Sequence, residues 1–270
     1  MKIYYQWNSW AYSHLASLEV EKNLSRKVDN IIWKPDFLSV WEKIWEWNIW
    51  VLPVENGYAG SIHENLYYFL RYDYKIIWEY DFLVNHCLLS FEDDIKKIKK
   101  VYSHPQALSQ CHNFLKENNI IAKNFSDTAW AAKYVGEKKE AWTWAIASKL
   151  AAEIYGLNIL KENIQDQKGN TTKFFIITKK DLDINYEKKA NKVSIIFKAK
   201  NIPASLYKCL WAFATNNVNL TKIESMPDLK DPFSYIFFLT FEWKLSDENI
   251  KKALEELDFF TTTIKILWEY

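Results

Sequence analysis

Glycine is scarce in this chain of 270 residues, which has 5 glycines beside 14 tryptophans. Average usage of roughly 7% would give about 19 glycines, which equals the glycines and tryptophans taken together. Trp7 and Trp10 lie in QWNSW, and Trp45 and Trp47 lie in WEWN. These polar contexts are typical of turns, where glycine supplies a positive φ. We therefore hypothesise that most tryptophan codons are UGA codons meant to be read as glycine, which UGG codons in the DNA would refute.

Cysteine is also rare, and Cys87, Cys111 and Cys209 are far apart along the chain. An odd number of distant cysteines excludes a disulfide framework, and no CxxC pair is present to form a metal knuckle. We expect three small, buried or half-buried side chains. No metal site is predicted.

No charge of one sign dominates, since 35 Lys and Arg face 34 Asp and Glu, for a formal charge of +1. Such a chain has no long-range field with which to hold nucleic acid or anionic lipid. No apolar run approaches the ~18 residues that would span a bilayer, and the start MKIYYQW lacks the regions of a signal peptide. We expect a cytoplasmic protein with a small-molecule substrate, and neither nucleic acid nor membrane as a partner.

The order of the predicted elements indicates two folding units. Residues 1–178 alternate strand-like and helical patterns, which is typical of an α/β architecture, and Ala145–Tyr155 is among the predicted helices. Residues 179–192 are charged and aperiodic, which predicts a linker. Residues 193–270 then predict the order βαββαβ of a ferredoxin-like unit.

Five segments in the first unit share order and spacing with a known family: YQWNSWAYS (5–13), VLPVENGYAGSI (51–62), SHPQALSQC (103–111), SDTAWAA (126–132) and AIASKLAAEIYGLNILKENIQDQKGNTTKF (145–174). Together they resemble the prephenate dehydratases, once Trp7, Trp10 and Trp130 are read as glycine. The resemblance implies two α/β lobes arranged like a periplasmic binding protein, with a cleft between them. One lobe should combine residues 1–77 with 160–178, and the other should hold residues 78–159.

The resemblance also implies a reaction. Prephenate, a dianion, loses carbon dioxide and its ring hydroxyl together and becomes aromatic phenylpyruvate, on the route to L-phenylalanine. Because aromatisation drives the step, no cofactor is expected, and neutral hydrogen-bond donors suit the task. Two alternatives stay open: an arogenate dehydratase, which performs the same elimination on the amino-acid analogue, and a non-catalytic regulator that binds an amino acid.

The catalytic residues that the resemblance implies are mostly neutral. Thr172 should donate to the departing hydroxyl, although threonine often opens a strand on β-propensity alone. Asn56, Ser103 and Gln110 should bind or orient the substrate, and Ser103 could equally cap the helix that opens at Pro105. Glu55 either holds a neighbouring donor or acts as an acid if burial raises its pKa. The commoner role for the neighbouring residue, His104, is a cap or a surface position.

Further residues are expected to bind substrate by the same resemblance: Ser61, Thr128, Ala129, Lys173 and Phe174. Thr128 and Ala129 belong to a turn that faces the cleft in the family, although Thr128 could be only a helix-start residue. Phe174 should wall the ring pocket. Lys173 departs from the family's arginine and lacks its bidentate fork, so it is the weaker carboxylate ligand.

The C-terminal unit resembles an ACT domain of the phenylalanine-sensing kind. NIPASL (201–206) resembles the family's NxPGxL, and NLTKIESMP (219–227) resembles its NLTxIESRP. The residues implied to bind L-phenylalanine are Asn201, Pro203, Ala204, Ser205, Leu206, Glu224 and Ser225. Ala204 and Met226 depart from a glycine and an arginine. We expect feedback inhibition and a homodimer or homotetramer through these domains, with a purely structural dimerisation module as the alternative.

Several tryptophans fall at family glycine or small-residue positions: Trp7, Trp10, Trp130, Trp142, Trp144, Trp243 and Trp268. A tryptophan forced into a left-handed conformation costs ~1–2 kcal/mol before any clash of its side chain. We therefore expect the version with glycine to be active, and the chain with tryptophan to be poorly folded or inactive. Trp41 is the position at which we expect a genuine tryptophan.

Overall fold

The computed structural model describes residues 1–6, 11–24, 26–42, 48–94, 98–179, 191–231 and 234–270. Four of the tryptophans at turn-like or glycine-like positions, Trp7, Trp10, Trp45 and Trp47, lie outside the described residues, as does most of the predicted linker at 179–192. No described helix is both long and apolar enough to cross a bilayer. The described residues also contain no cluster of His, Cys, Asp and Glu suited to a metal ion.

The described helices and strands alternate along most of the chain. In order they are β1 (Lys2–Gln6), α1 (Tyr12–Lys22), β2 (Asn30–Lys34), α2 (Phe37–Glu42), β3 (Asn48–Asn56), β4 (Gly60–Ser61), α3 (His63–Arg71), β5 (Tyr74–Leu83), β6 (Cys87–Ser90), β7 (Lys100–Ser103), α4 (Pro105–Gln110), α5 (His112–Glu117), β8 (Ile121–Asn124), α6 (Thr128–Lys138), β9 (Thr143–Ala147), α7 (Lys149–Tyr155), β10 (Asn158–Lys161), β11 (Thr171–Lys179), β12 (Lys192–Ala199), α8 (Ser205–Thr215), β13 (Leu220–Pro227), β14 (Tyr235–Glu242), α9 (Glu248–Phe260) and β15 (Thr261–Glu269).

The first sheet has the strand order β2-β1-β3-β11-β5, with β4 paired to β3. Strands β1, β2 and β3 are parallel, whereas β11 runs antiparallel to β3 and β5. The centre of β3 is buried on both faces, which explains its nearly continuous apolar run. The register places Thr172 of β11 opposite Asn56 of β3, and Lys173 opposite Glu55. Residues that are far apart in sequence therefore become neighbours.

The second sheet has the order β10-β6-β9-β7-β8. The helix predicted over Ala145–Tyr155 is wrong for its first residues, because 145–147 belong to the buried central strand β9. Small apolar side chains suit a helix and a doubly covered strand alike, and the sheet decides between them. The helix begins only at Lys149, where the Oγ of Ser148 accepts a hydrogen bond from the N–H of Ala151. The lobes were predicted to divide at residues 77 and 160. Strand β5 stays in the first sheet as far as Leu83, and β10, which ends at Lys161, belongs to the second sheet.

The third sheet has the antiparallel order β13-β14-β12-β15, and with α8 and α9 it completes the βαββαβ pattern. One face packs on the two helices around Phe213, Phe241 and Leu257. The other face shares a hydrophobic core with the first sheet, in which Phe238 and Met226 join Phe175. The C-terminal unit is thus attached by a contiguous apolar contact to the strands that carry Asn56 and Thr172.

Candidate active site

A cleft opens between the first and second sheets. The residues that line it come from both sheets and from the helices that follow their strands: Tyr12, Ser13, Pro53, Asn56, Ile62, Val84, His86, His104, Gln106, Ala107, Gln110, Asp127, Thr128, Thr172 and Phe174.

Asn56, at the end of β3, has a fixed side-chain orientation. Its Oδ1 accepts hydrogen bonds from the backbone N–H groups of Tyr58 at 3.2 Å and Ala59 at 3.1 Å. Backbone N–H groups can only donate, so this atom is the carbonyl oxygen of the amide. The Nδ2 of Asn56 then donates to Thr172 Oγ1 at 2.9 Å and to Asn170 Oδ1 at 3.0 Å.

Gln110, at the end of α4, approaches the same group from the second sheet. Its Nε2 donates to Asn56 Oδ1 at 3.2 Å, and its Oε1 accepts from Asn170 Nδ2 at 2.9 Å. The structure therefore brings together three of the predicted catalytic residues, Thr172, Asn56 and Gln110. Their hydrogen bonds join the two sheets across the floor of the cleft.

Sequence reasoning missed three residues of this network: Tyr12, His86 and Asn170. Asn170 is fully buried and forms hydrogen bonds with both Asn56 and Gln110. Its position two residues before Thr172, in the same segment, could have indicated that it belongs to the site. His86 is 1% exposed and bonds Gln110, but it stands in no motif that we recognised. Tyr12 contacts His86 through its hydroxyl, and its only signal in the sequence is its place in the segment at 5–13.

The cleft is electrically neutral on its walls except for one carboxyl group. Burial lowers the pKa of His86 and of His104, so both imidazoles are neutral at pH 7. Burial also raises the pKa of Asp127, whose Oδ1 caps α6 by accepting from the N–H groups of Ala129 and Trp130. None of the described residues that line the cleft is a lysine or an arginine.

Helix N-termini supply positive potential in place of cations. Helix α1 presents Tyr12 and Ser13 of its first turn to the cleft, and α6 presents Thr128. The aligned peptide dipoles of a helix place about half a positive charge at this end, which favours an anion. The carboxyl of Asp127 already accepts from the first N–H groups of α6, whereas α1 has no side-chain cap. The cleft therefore suits a negatively charged organic molecule.

The other residues predicted in the second sheet have different positions. Thr128 lines the cleft, whereas Ala129 is fully buried behind it and donates its N–H to Asp127. Ser103 is also fully buried, and its Oγ donates to the carbonyl of Ile146, which ties β7 to β9. His104, and not Ser103, caps α4, because its Nδ1 accepts a hydrogen bond from the N–H of Gln106.

Phe174 lines the cleft, but Glu55, Ser61 and Lys173 do not. Successive side chains of a strand point to opposite faces, so Glu55 turns away from Asn56, and Lys173 turns away from Thr172. Lys173 pairs with Glu79 at 3.2 Å and with Asp81 at 3.1 Å. Glu55 and Lys173 line a second cavity, which lies between the first and third sheets.

The third sheet takes up the remaining polar groups of β3 and β4. Lys222 Nζ lies 2.6 Å from Glu55 Oε2 and donates to Ser61 Oγ at 3.0 Å. The carboxylate of Glu224 accepts from Ser61 Oγ and pairs with His63 Nε2, each at 2.7 Å. The structure thus turns Glu224 and Ser61, which were predicted to bind two different ligands, toward each other.

The other residues predicted to bind L-phenylalanine take no part in these hydrogen bonds of Glu224. Ser225 is exposed on the opposite face of β13, and Leu206 is exposed at the start of α8. Asn201 and Pro203 are exposed in the loop before α8, and Ser205 is buried. Ala204 has φ 60°, which is the left-handed conformation that glycine adopts most easily.

Residues 3–182 match the family described as prephenate dehydratase. A prephenate dehydratase of Methanocaldococcus jannaschii is 41% identical over 233 residues, which cover 86% of this chain and 84% of that protein. The chloroplastic arogenate dehydratase/prephenate dehydratase 2 of Arabidopsis thaliana is 37% identical over 247 residues, or 87% of this chain. The chain spans 65% of the length of that plant relative.

Solved structures share the whole architecture. The prephenate dehydratase of Arthrobacter aurescens, in complex with L-Phe, has a TM-score of 0.86 and 23% identity, and covers 100% of this chain and 89% of its own. A structure described as GqqA, a novel type of quorum quenching acylase, has a TM-score of 0.83 and 30% identity, with coverage of 99% and 96%.

Proposed function

The chain belongs to the prephenate dehydratase family, and we propose that it is a lyase that converts prephenate into phenylpyruvate by loss of carbon dioxide and water. The observation that carries the proposal is the hydrogen bond from Asn56 Nδ2 to Thr172 Oγ1 at 2.9 Å. It determines which way the threonine hydroxyl can act.

A hydroxyl group has one proton to donate and lone pairs with which to accept. Because Asn56 donates to Thr172 Oγ1, the threonine oxygen is an acceptor in that bond, and its own proton stays available. Thr172 lines the cleft, and within the described part of the chain its hydroxyl donates to none of the residues of this network. Its O–H is thus placed to donate to the ring hydroxyl of the substrate as the C–O bond breaks.

The walls of the cleft suit the rest of prephenate. Pro53, Ile62 and Phe174 supply apolar surface for a ring that becomes aromatic. The N-terminus of α1, which has no side-chain cap, attracts a carboxylate without a lysine or arginine, whose ion pair would hold the departing carboxylate as an anion. Lys173 is already paired with Glu79 and Asp81, so we assign it to the second cavity instead of the substrate.

We also propose a regulatory role for the C-terminal unit. In this proposal residues 1–178 form the catalytic domain, residues 179–192 the linker, and residues 193–270 an ACT domain that binds L-phenylalanine and inhibits turnover. The glycine-like φ of Ala204 supports this role, as do the polar contacts of Lys222 and Glu224 with the first sheet. Pairing of these domains through the edge strand β13 would give the expected homodimer or homotetramer in the cytoplasm.

The hypothesis that tryptophan replaces glycine belongs to the same proposal. The backbone of Trp142 has φ 67° and that of Trp268 has φ 125°, and residues other than glycine rarely adopt such positive values. Trp130 and Trp243 are 45% and 41% exposed, which is unusual for so large an apolar ring. Trp144 is fully buried, and its indole N–H has no partner among the described residues. The positive φ values and the exposed rings are what glycine positions occupied by tryptophan would produce.

The test is phenylpyruvate formation from prephenate by two full-length versions, one with tryptophan and one with glycine at Trp7, Trp10, Trp130, Trp142, Trp144, Trp243 and Trp268. Within the active version, Thr172→Val removes the hydroxyl and keeps the shape, whereas Thr172→Ser keeps the hydroxyl. We expect Thr172→Val to lower kcat by about 10²–10³-fold, as for loss of one transition-state donor. Thr172→Ser should lose less than about 10-fold.

Other outcomes of the same experiment identify the alternatives. Turnover of arogenate with prephenate untouched would make the chain an arogenate dehydratase, which is the activity named for several plant relatives. A folded protein that leaves both substrates untouched but binds L-phenylalanine in calorimetry would be the non-catalytic regulator. Equal turnover by Thr172→Val and the parent protein would refute the role of Thr172.

A further inference from the structure

His86 lies under the floor of the cleft, and its ring is held on both sides. Its Nε2 is 2.8 Å from Gln110 Oε1, and its Nδ1 is 3.0 Å from the hydroxyl of Tyr12. The backbone is also held, because the N–H of His86 donates to Gln165 Oε1, and its carbonyl accepts from the N–H of Ile164. A side chain that is 1% exposed and held in this way has one orientation available to it.

The direction of each hydrogen bond can be followed from Asn56 to this ring. The Nδ2 of Asn56 is a donor, so Asn170 Oδ1 is the acceptor and the other terminal atom of Asn170 is its Nδ2. That nitrogen donates to Gln110 Oε1. Gln110 Oε1 is therefore a carbonyl oxygen, and the His86 nitrogen beside it can interact favourably only as a donor.

The tautomer of His86 follows from this sequence of bonds. Nε2 must carry a proton, and in the neutral ring Nδ1 is then an acceptor. The Tyr12 hydroxyl has one proton to donate, and Nδ1 at 3.0 Å shares it with the carbonyl oxygen of Asn85 at 2.8 Å. The tautomer is thus determined by two backbone N–H groups that lie on the opposite side of the cleft, at Tyr58 and Ala59.

We propose that His86 is a positioning residue for the dehydratase reaction, and that its Nε2–H keeps the Gln110 amide in the orientation that Asn56 and Thr172 require. The proposal rests on the proposed function, because it assigns Thr172 the donor role. Without the Nε2–H, the Gln110 amide loses one of the two donors on Oε1 and is held less firmly in its present orientation. The rotated orientation would set Gln110 Nε2 against Asn170 Nδ2, donor against donor, and would lose the hydrogen bond to Asn56 Oδ1.

A matched pair of variants tests this role. The amide nitrogen of glutamine can occupy the position of histidine Nε2, whereas that of asparagine occupies the position of Nδ1 and faces Tyr12. We expect His86→Asn to lower kcat by about 10²-fold, as small misplacements of catalytic groups do, with KM changed less than about threefold. His86→Gln should recover kcat to within about 10-fold of the parent protein. His112→Gln, on the exposed surface of α5, is the control that should leave turnover unchanged.

Equal loss in His86→Gln and His86→Asn, with thermal unfolding unchanged, would overturn the proposal, as would undiminished turnover in His86→Asn. A second measurement does not depend on turnover. The ¹⁵N chemical shifts of the His86 ring in the full chain should report a protonated Nε2 and an unprotonated Nδ1 at pH 7. A protonated Nδ1 in the neutral ring would also overturn it. If the parent protein leaves prephenate untouched, the proposed function fails, whereas the tautomer assignment is still tested by these shifts.

Discussion

Lys222 of β13 forms an ion pair with Glu55 of β3, with 2.6 Å between Nζ and Oε2. Glu55 immediately precedes Asn56, whose amide holds the hydroxyl of Thr172. The C-terminal sheet is therefore in direct polar contact with the strand that carries the candidate site. Any shift of β13 relative to β3 must either break this pair or move the residue next to Asn56.

The pair should contribute measurably to stability in a double-mutant cycle of Lys222→Met and Glu55→Gln. The side chain of Lys222 is 18% exposed and that of Glu55 is 37% exposed, so solvent screens the attraction only in part. We expect a coupling free energy of about 0.5–1 kcal/mol in urea unfolding. The exposed pair Lys133 and Glu137, at 3.7 Å, is the matched control and should give at most ~0.5 kcal/mol. Additive effects at Lys222 and Glu55 would show that the contact is not energetically coupled.

Replacement of Trp142 or Trp268 by glycine should leave the free energy of unfolding unchanged or raise it. The positive φ at each position costs tryptophan ~1–2 kcal/mol, which glycine avoids. Each ring also lies about 5 Å from a lysine ammonium, Lys99 or Lys75, and loss of that contact removes ~0.5–1 kcal/mol. Urea unfolding of both variants checks the balance. A loss of more than ~2 kcal/mol at both sites would contradict the glycine hypothesis.

Trp41 provides the opposite control, since we expect a genuine tryptophan there. Its ring is fully buried against Tyr68 and Phe69, and its indole N–H donates to Asn65 Oδ1 at 3.1 Å. Trp41→Gly should therefore lower the free energy of unfolding by about 3–5 kcal/mol, as for other large side chains removed from a core. Tolerance of glycine at this position would mean that the packing around Trp41 contributes little.

Asp127 should make the stability of the protein depend on pH. Burial raises the pKa of its carboxyl, so the folded state binds this proton more tightly than the unfolded state does. The stabilisation from that proton is complete below the unfolded pKa of about 3.9, and it is lost as the pH rises through the folded pKa. Asparagine keeps the Oδ1 acceptor for the N–H groups of Ala129 and Trp130 but cannot ionise.

We therefore expect Asp127→Asn to be more stable than the parent protein at pH 7, with the difference vanishing near pH 3. Asp127→Ala, which loses the helix cap, should cost about 0.5–2 kcal/mol relative to Asp127→Asn at either pH. Thermal unfolding between pH 3 and pH 8 measures both effects. A parent protein that is more stable than Asp127→Asn at pH 7 would show that the charged carboxylate is favoured in place.

Local pattern alone identifies the elements whose periodicity is unambiguous. Alternating apolar strands and amphipathic helices predict the C-terminal βαββαβ order, and the third sheet confirms it. The family is identifiable for a different reason. Asn56, Gln110 and Thr172 lie in segments whose order and spacing are specific, so the resemblance alone predicts that these three side chains share one site.

The tertiary structure decided which face of each strand meets which partner. Thr172 and Lys173 are adjacent in sequence, yet one lines the cleft and the other pairs with Glu79 and Asp81, because consecutive side chains of a strand point apart. Alternation alone predicts two faces but not what covers them. Because the third sheet packs against the first, the face of β3 that carries Glu55 meets Lys222.

His86 shows the same division. Nothing in its local sequence distinguishes it from an ordinary core histidine, and Gln110 lies 24 positions away. Its tautomer depends on hydrogen bonds that pass through residues of both sheets, and such bonds exist only once the sheets have come together. The sequence by itself determined the family, the α/β order and the neutral donors. The direction in which those donors act was decided by long-range packing, since an amide or a hydroxyl takes its orientation from whatever lies beside it.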